Sequence, residues 1–349
     1  MAAEDFDYLL ELVGPSISKS DTKMRCAITA SERLCLTLRF LATGDSYHSL
    51  MYLFRIPVCT IARIVPECCA ELFRVLKNKY LQTPNTPEEW LKHSKMFEEL
   101  WNFPHCVGAL DGKHISIKAP PNAGSYYFNY KGFNSIVLMA LADASYKFLY
   151  IDIGCNGRVS DGGVFTNCAL SAALANNTLN FPSPEPLPGR ENPVPYVVVA
   201  DDAFAMKPYL MKPYPFRGQD VPTRVYNYRL SRARRIVENV FGIIANRFRI
   251  LRKPIELGPE KATCIVSAVC VLHNFLMSRR SQLYAPAGTF DTDEQAGEWR
   301  TVEMPQSNLV ELQRGAAHNF STNAKNVRDE FKEYFVSPHG EVHWQYQNI

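Results

Sequence analysis

The chain has 349 residues, 46% of them apolar and 21% charged, with a formal net charge of +3. That balance excludes a disordered chain and allows one large domain or two ordinary ones around an ample core. No apolar stretch reaches the roughly 18 residues of a membrane span, because 265–275 is short and holds His273, and the acidic start at 1–7 lacks the cationic onset of a secretory signal.

Residues 1–100 read as helical. Segment 32–43 carries Leu34, Leu36, Leu38, Phe40 and Leu41 and ends at Gly44, and 46–54 follows after a serine start. A turn around Pro57 leads to a further helix from about Thr60. Two short helices joined by a tight turn suit a helix-turn-helix unit or plain helical packing. From Trp101 the period changes. Residues 107–110 and 114–117 are short strand candidates around Asp111-Gly112, and 135–142 with 147–153 reads as a hairpin. A helix is expected over 161–174, an irregular proline-rich loop over 181–195 and a buried strand over 197–200. Helices follow at 231–251 and 260–277, and 324–335 is a last helix in a polar segment. The pattern predicts an α/β fold in which a mixed sheet carries helices on its faces. Its divisions are an N-terminal helical, helix-turn-helix-like domain (1–100), a catalytic domain (101–280) and a polar C-terminal extension (281–349).

Ten cysteines show no Cys-x-x-Cys pair and lie mostly in apolar runs. Reduced buried thiols are expected, rather than a disulfide framework or a zinc finger, and with them a cytosolic or nuclear setting.

Three acids carry the chemistry. Asp111 follows the apolar run 106–110, Asp201 follows 196–200, and Glu238 is the only acid among nine Arg and Lys residues in 224–253. A buried carboxylate needs a proton, a cation or a hydrogen bond, and three such oxygen donors suit a hard ion such as Mg²⁺ working on a phosphate. Each acid also has a plainer reading. Asp111-Gly112 is a turn signal, Asp201 or Asp202 could cap a helix, and Glu238 could pair with Arg234 four residues earlier. The single-sign cations of 231–251 point to a polyanionic partner, with Arg232, Arg235, Arg247 and Arg249 free to meet phosphates. A solvated helix face is the alternative.

The motifs Trp101-Asn-Phe-Pro, Gly108-Ala-Leu-Asp-Gly-Lys-His, Asp161-Gly-Gly-Val-Phe and Ala200-Asp-Asp-Ala-Phe resemble the DDE transposases of the PIF/Harbinger superfamily and their domesticated, ALP1-like nuclease relatives. The likeness continues through the Arg-rich stretch 226–242, through 246–251 and through Val271-Leu-His-Asn-Phe, covering about residues 30–280. The resemblance implies an RNase H-like catalytic core with Asp111, Asp201 and Glu238 as catalytic and metal-binding acids. It implies two Mg²⁺ or Mn²⁺ ions per site, a double-stranded DNA substrate at transposon ends and in target DNA, and cleavage followed by strand transfer. Arg229 joins the four arginines above as a DNA-binding candidate. A Myb/SANT- or MADF-like DNA-binding partner and nuclear residence, aided by that partner, are implied as well, and a homodimer is left open. Asp202 departs from the family's usual Gly-Asp-Ser/Ala pattern and is a rival or supporting ligand. Asp161 is read as a helix cap and His273-Asn274 as a buried hydrogen-bonded pair. Asp329, Glu330, Phe331, Tyr334 and Phe335 could dock a partner or form a capping tail. A domesticated DNA- or chromatin-binding protein and a simple Mg²⁺-dependent nuclease are the rival functions.

Overall fold

Side-chain caps and a left-handed stop define the N-terminal helices. These are α1 (Ala3–Ile17), α2 (Ala30–Thr43), α3 (Tyr47–Phe54), α4 (Val58–Tyr80) and α5 (Pro87–Trp101). Thr29, Ser46 and Thr86 accept the backbone N–H of Glu32, Ser49 and Glu89 at the starts of α2, α3 and α5. Gly44 ends α2 at φ 66°, and a Cβ there would lie 3.0 Å from the Arg249 carbonyl oxygen, so only glycine fits without strain. Of the two short helices expected around Pro57, α3 is short, whereas α4 runs for 23 residues. Ile61, Val65 and Leu72 of α4 share one apolar cluster with Val266, Val269 and Phe275, about two hundred residues further along the chain. The computed structural model describes all residues except 160, 280–282, 287, 291–308, 312–320 and 348, and except the side chains of 161 and 162.

The main sheet contains β1 (Cys106–Ser116), β2 (Ser135–Ala142), β3 (Phe148–Asn156), β6 (Val197–Val199) and β7 (Leu210–Met211), in the order β3-β2-β1-β6-β7. β2 runs antiparallel to both neighbours, whereas β1, β6 and β7 are parallel. β8 (Leu309–Glu311) pairs antiparallel with the far part of β1. The two short strands expected on either side of Asp111-Gly112 are in fact one strand. Eight consecutive pairs with β2, from Ala109↔Ala142 to Ser116↔Ser135, override the local turn signal. Gly108 permits this closeness, since a Cβ there would lie 2.7 Å from the Leu141 side chain.

Other elements differ from expectation in extent. The helix foreseen over 161–174 is two, α6 (Asp161–Asn167) and α7 (Ala169–Ala175), with the Cys168 sulfur accepting the Ser171 N–H between them. The proline-rich segment contains a small hairpin of β4 (Glu185–Pro186) and β5 (Pro193–Val194). The Arg-rich helix is longer than foreseen. As α8 (Val221–Arg247) it starts where Asp220 accepts the Thr223 N–H at 3.0 Å, and a 3₁₀ turn, Arg249–Arg252, follows it. Among the described residues two further α-helices follow, α9 (Pro259–Ser278) and α10 (Thr322–Tyr334).

α9 is, by length and composition, apolar enough to cross a membrane, contrary to the sequence expectation, yet most of it is buried against α4 and β3. Its His273 and Asn274 are structural, as expected. Asn274 accepts the Phe148 N–H (2.8 Å) and donates to the carbonyls of Phe148 (2.7 Å) and Tyr80 (2.6 Å). His273 bridges the Tyr284 hydroxyl (2.7 Å) and the Tyr146 carbonyl (2.6 Å). Burial lowers its pKa to about 4, so the ring is neutral. All ten cysteines are free thiols.

Candidate active site

Strand alternation brings two of the three acids together. Ala109 of β1 pairs with Val199 of β6 in parallel register, and two residues further along each chain stand Asp111 and Asp201. A step of two keeps a side chain on the same face. Ala109 and Val199 belong to the apolar cluster that contains the α8 core residues, so both acids rise on the face that α8 covers. Asp111 also sits where the neighbour of β1 changes, with β6 pairing up to Ala109 and β8 beginning at Lys113. The sheet forks at this carboxylate, and a cavity of about 340 Å³ opens there. Asp111, Lys113, Asp201, Asp202, Arg234 and Glu311 are among the residues that line it.

The electrostatics are those of a compensated acidic pair. Burial raises the pKa of Asp201, and the nearby Asp111 carboxylate raises it further. The Ala203 N–H, which donates to Asp201 Oδ1 at 2.8 Å, opposes that rise, as do Arg234 and Lys113. Asp111, only 5% exposed, has Lys113 Nζ at 3.4 Å. Lys113 lies over the Phe241 ring and reaches Glu311 at 3.7 Å. Neither Lys113 nor Glu311 stands out in the sequence as a site residue. Period-two spacing from Asp111 could have found the lysine, but nothing local marks the glutamate.

Asp202 is outside this pair. It lies on the opposite step of the alternation, its side chain is more than half exposed, and it meets the buried Lys212 ammonium at 3.2 Å. Lys212 in turn donates to the carbonyls of Asp202 and Phe204, tying the end of β7 to the turn after β6. Asp161 opens α6, but its side chain is outside the described residues.

Glu238 does not join the two aspartates. The plainer reading holds, since Arg234 Nη2 meets Glu238 Oε1 at 2.7 Å, one turn apart on α8. Arg234 lines the cavity, and helical spacing puts Glu238 on the same face one turn beyond it, between Arg234 and Phe241. Among the described residues no three acids, histidines or cysteines lie close enough to hold one ion.

The arginines divide into inner and outer groups. Arg229 and Arg232 are buried and cannot serve as phosphate contacts. Arg229 donates to the Gly340 carbonyl (3.1 Å), Gln345 Oε1 (2.8 Å) and the Asn102 carbonyl, with its guanidinium 4.5 Å from the Phe335 ring centre. Burial and Arg232 lower its pKa to about 10. Arg232 donates to Asn102 Oδ1 (2.6 Å) and lies 4.3 Å from the Trp344 ring centre. Arg235 and Arg247 are half-buried, and Arg249 is exposed.

The C-terminal residues named as docking candidates are packed into the fold. Phe331 and Phe335 are fully buried against Phe103, Tyr334 is buried, Asp329 accepts from the Tyr214 hydroxyl, and Glu330 binds Arg190 at 2.6 Å. His114, in the strand motif, is likewise structural. It bonds the Ser135 hydroxyl at 3.0 Å, and burial with the nearby Lys131 lowers its pKa to about 4.

Asp111 and Asp201 line one cavity at the forked sheet together with Lys113 and Arg234. The donor set is all oxygen, the chemistry a hard divalent ion requires. Asp111 and Asp201 are the two acids here that could hold such an ion, whereas Glu238 is engaged by Arg234. Residues 110–274 match the DDE superfamily endonuclease family, a span that contains all three acids.

The chain is also similar to several whole proteins. It is 24% identical over 288 residues to HARBI1 of Xenopus laevis, named as a candidate nuclease, covering 81% of this chain and 77% of that protein. To the ALP1-like protein of Arabidopsis thaliana it is 22% identical over 290 residues, covering 81% and 70%. To the Arabidopsis protein named antagonist of like heterochromatin protein 1 it is 23% identical over 253 residues, covering 72% and 63%. No solved structure matches the chain.

Proposed function

We propose that this protein is a metal-dependent DNA endonuclease of the DDE transposase type, with an RNase H-like core. The observation that carries the reading is the register that sets Asp111 beside Asp201 at the mouth of one cavity, each acid largely buried. Support for the core comes from the sheet order and from the acids' places on its first and fourth strands and on the late helix α8.

Asp111 and Asp201, joined by Glu238, would hold Mg²⁺ or Mn²⁺, which when bound activates a water or 3′-hydroxyl and stabilises the leaving oxygen. The chain's own residues do the rest. Asp201 gives up its proton less readily than an ordinary aspartate, which ties the charged state of the site to the arrival of a cation. Lys113 and Arg234 hold the acids in place beforehand. The outer cations Arg224, Arg235 and Arg249 meet the phosphate backbone, and such contacts position DNA without reading its sequence. End recognition then falls to a separate Myb/SANT-like DNA-binding partner, within the nucleus.

Nicking of supercoiled plasmid by the purified protein, with Mg²⁺, Mn²⁺ or EDTA, tests the reading. Loss of nicking in Asp111→Asn and in Asp201→Asn, with DNA binding retained, supports it; metal-independent nicking that survives both substitutions refutes it. Joined products with a 3′-hydroxyl donor DNA would extend the activity to strand transfer.

A second reading, a domesticated chromatin-associated protein, draws support from the likeness to the heterochromatin-antagonist protein. The retention of Asp111, Asp201 and Glu238 favours a cutting enzyme over it.

A further inference from the structure

Cleavage of a phosphodiester leaves one wall of the cavity without a role. Besides the aspartates, Pro213, Phe216, Tyr228 and Leu230 line it and give it apolar surface. Phe216 is 78% exposed, although the segment that carries it is firmly held. Asn227 clamps Tyr214 by both backbone groups, accepting its N–H at 2.8 Å and donating to its carbonyl at 3.0 Å. The Tyr214 ring lies 3.7 Å from the Arg328 guanidinium, and its hydroxyl is bonded to Asp329. Gln219 Nε2 donates to the Pro215 carbonyl at 2.8 Å, and the prolines at 213 and 215 fix their own φ. A rigid stem therefore ends in a bare aromatic ring.

Bare, pre-positioned rings beside phosphate-binding groups are stacking platforms for bases, and the base must lie outside the duplex stack to reach one. Arg224 lines the same cavity, exposed and without an ion pair among the described residues, where it can take the phosphate of the same nucleotide. The cavity, about 340 Å³, is at the small end of ligand pockets, roughly 300–1,000 Å³, the scale of a single nucleotide.

We propose that Phe216 stacks an unpaired base next to the scissile phosphate, so that the site receives a splayed DNA end rather than continuous duplex. The proposal rests on the nuclease reading above and adds to it the state of the substrate.

The test uses full-length Asp201→Asn protein, titrated with a blunt duplex and with the same duplex carrying a short unpaired 3′ overhang that contains 2-aminopurine. Binding should favour the overhang by about tenfold and should quench the 2-aminopurine fluorescence. Adding Phe216→Ala should abolish both effects, and adding Phe216→Trp should retain them. Equal binding of the two duplexes, or a preference that Phe216→Ala leaves unchanged, overturns the proposal. Plasmid nicking by the otherwise wild-type protein is run alongside. Nicking without a Phe216-dependent preference overturns the stacking role alone, whereas absence of both nicking and DNA binding overturns the nuclease reading with it.

Discussion

Arg234 and Glu238, one turn apart on α8, are joined at 2.7 Å, and this ion pair engages the third candidate acid at the edge of the cavity. Any cation that recruits Glu238 competes with that guanidinium. Arg234→Ala is therefore expected to tighten Mn²⁺ binding to the DNA-free protein by about threefold, a gain in keeping with a partly exposed pair, whereas Glu238→Gln weakens it. Calorimetric titration with Mn²⁺ decides the matter, and equal affinity in wild type and Arg234→Ala would show that the pair does not compete with metal.

Asp201 supplies a pH prediction. Its pKa in the folded chain is raised above the ordinary aspartate value by burial and by Asp111, so the folded state binds this proton more tightly than the unfolded chain does. Without metal, the group therefore costs stability at neutral pH, and that cost disappears as pH falls through the folded pKa. Asp201→Asn should raise the metal-free Tm at pH 7 by about 1–2 °C, with the gain shrinking on acidification, while it abolishes nicking. Thermal melts across pH check this, and a lowered Tm at pH 7 would contradict it.

Asn274 should be hard to replace. Alanine leaves the N–H and carbonyl of Phe148 and the carbonyl of Tyr80 without their buried partner. The expected loss is about 2–4 kcal/mol in urea unfolding. Aspartate should be nearly as damaging, because it cannot donate to the two carbonyls.

Inner and outer arginines should separate cleanly. Arg229→Ala removes three hydrogen bonds and a stacked ring and is expected to cost about 2–4 kcal/mol of stability, with the salt dependence of DNA binding unaltered. Arg224→Ala with Arg249→Ala should leave stability within about 0.5 kcal/mol and flatten the slope of log K against log salt by about 0.9 for each lost phosphate contact. Binding isotherms at several salt concentrations, alongside urea melts, distinguish the two sets.

How far these features are legible in the chain depends on how local their causes are. The hairpin 135–153, the strand at 197–200 and the helices around 32–43 and 260–277 are written in apolar periodicity, and they stand where it puts them. Asp111-Gly112 reads as a turn because its partner strand β2 is more than twenty residues away along the chain. Arg229 and Arg232 read as phosphate ligands because nothing nearby announces Asn102, Gln345 and Trp344, each over a hundred residues distant. Asp111 and Asp201 are legible as candidates because each follows an apolar run, 106–110 and 196–200, at the same step of the alternation. Glu238 is legible both as their partner and as the partner of Arg234, and in the metal-free structure the nearer cation wins.

The clasp at Phe148 also bears on how copies of this chain can meet. β3 is the outermost strand on its side of the sheet, where an open ladder would invite edge-to-edge aggregation. Asn274 occupies both backbone groups of Phe148, and the Thr83 hydroxyl takes the Leu149 carbonyl at 2.8 Å. Strand addition is blocked at that end of β3.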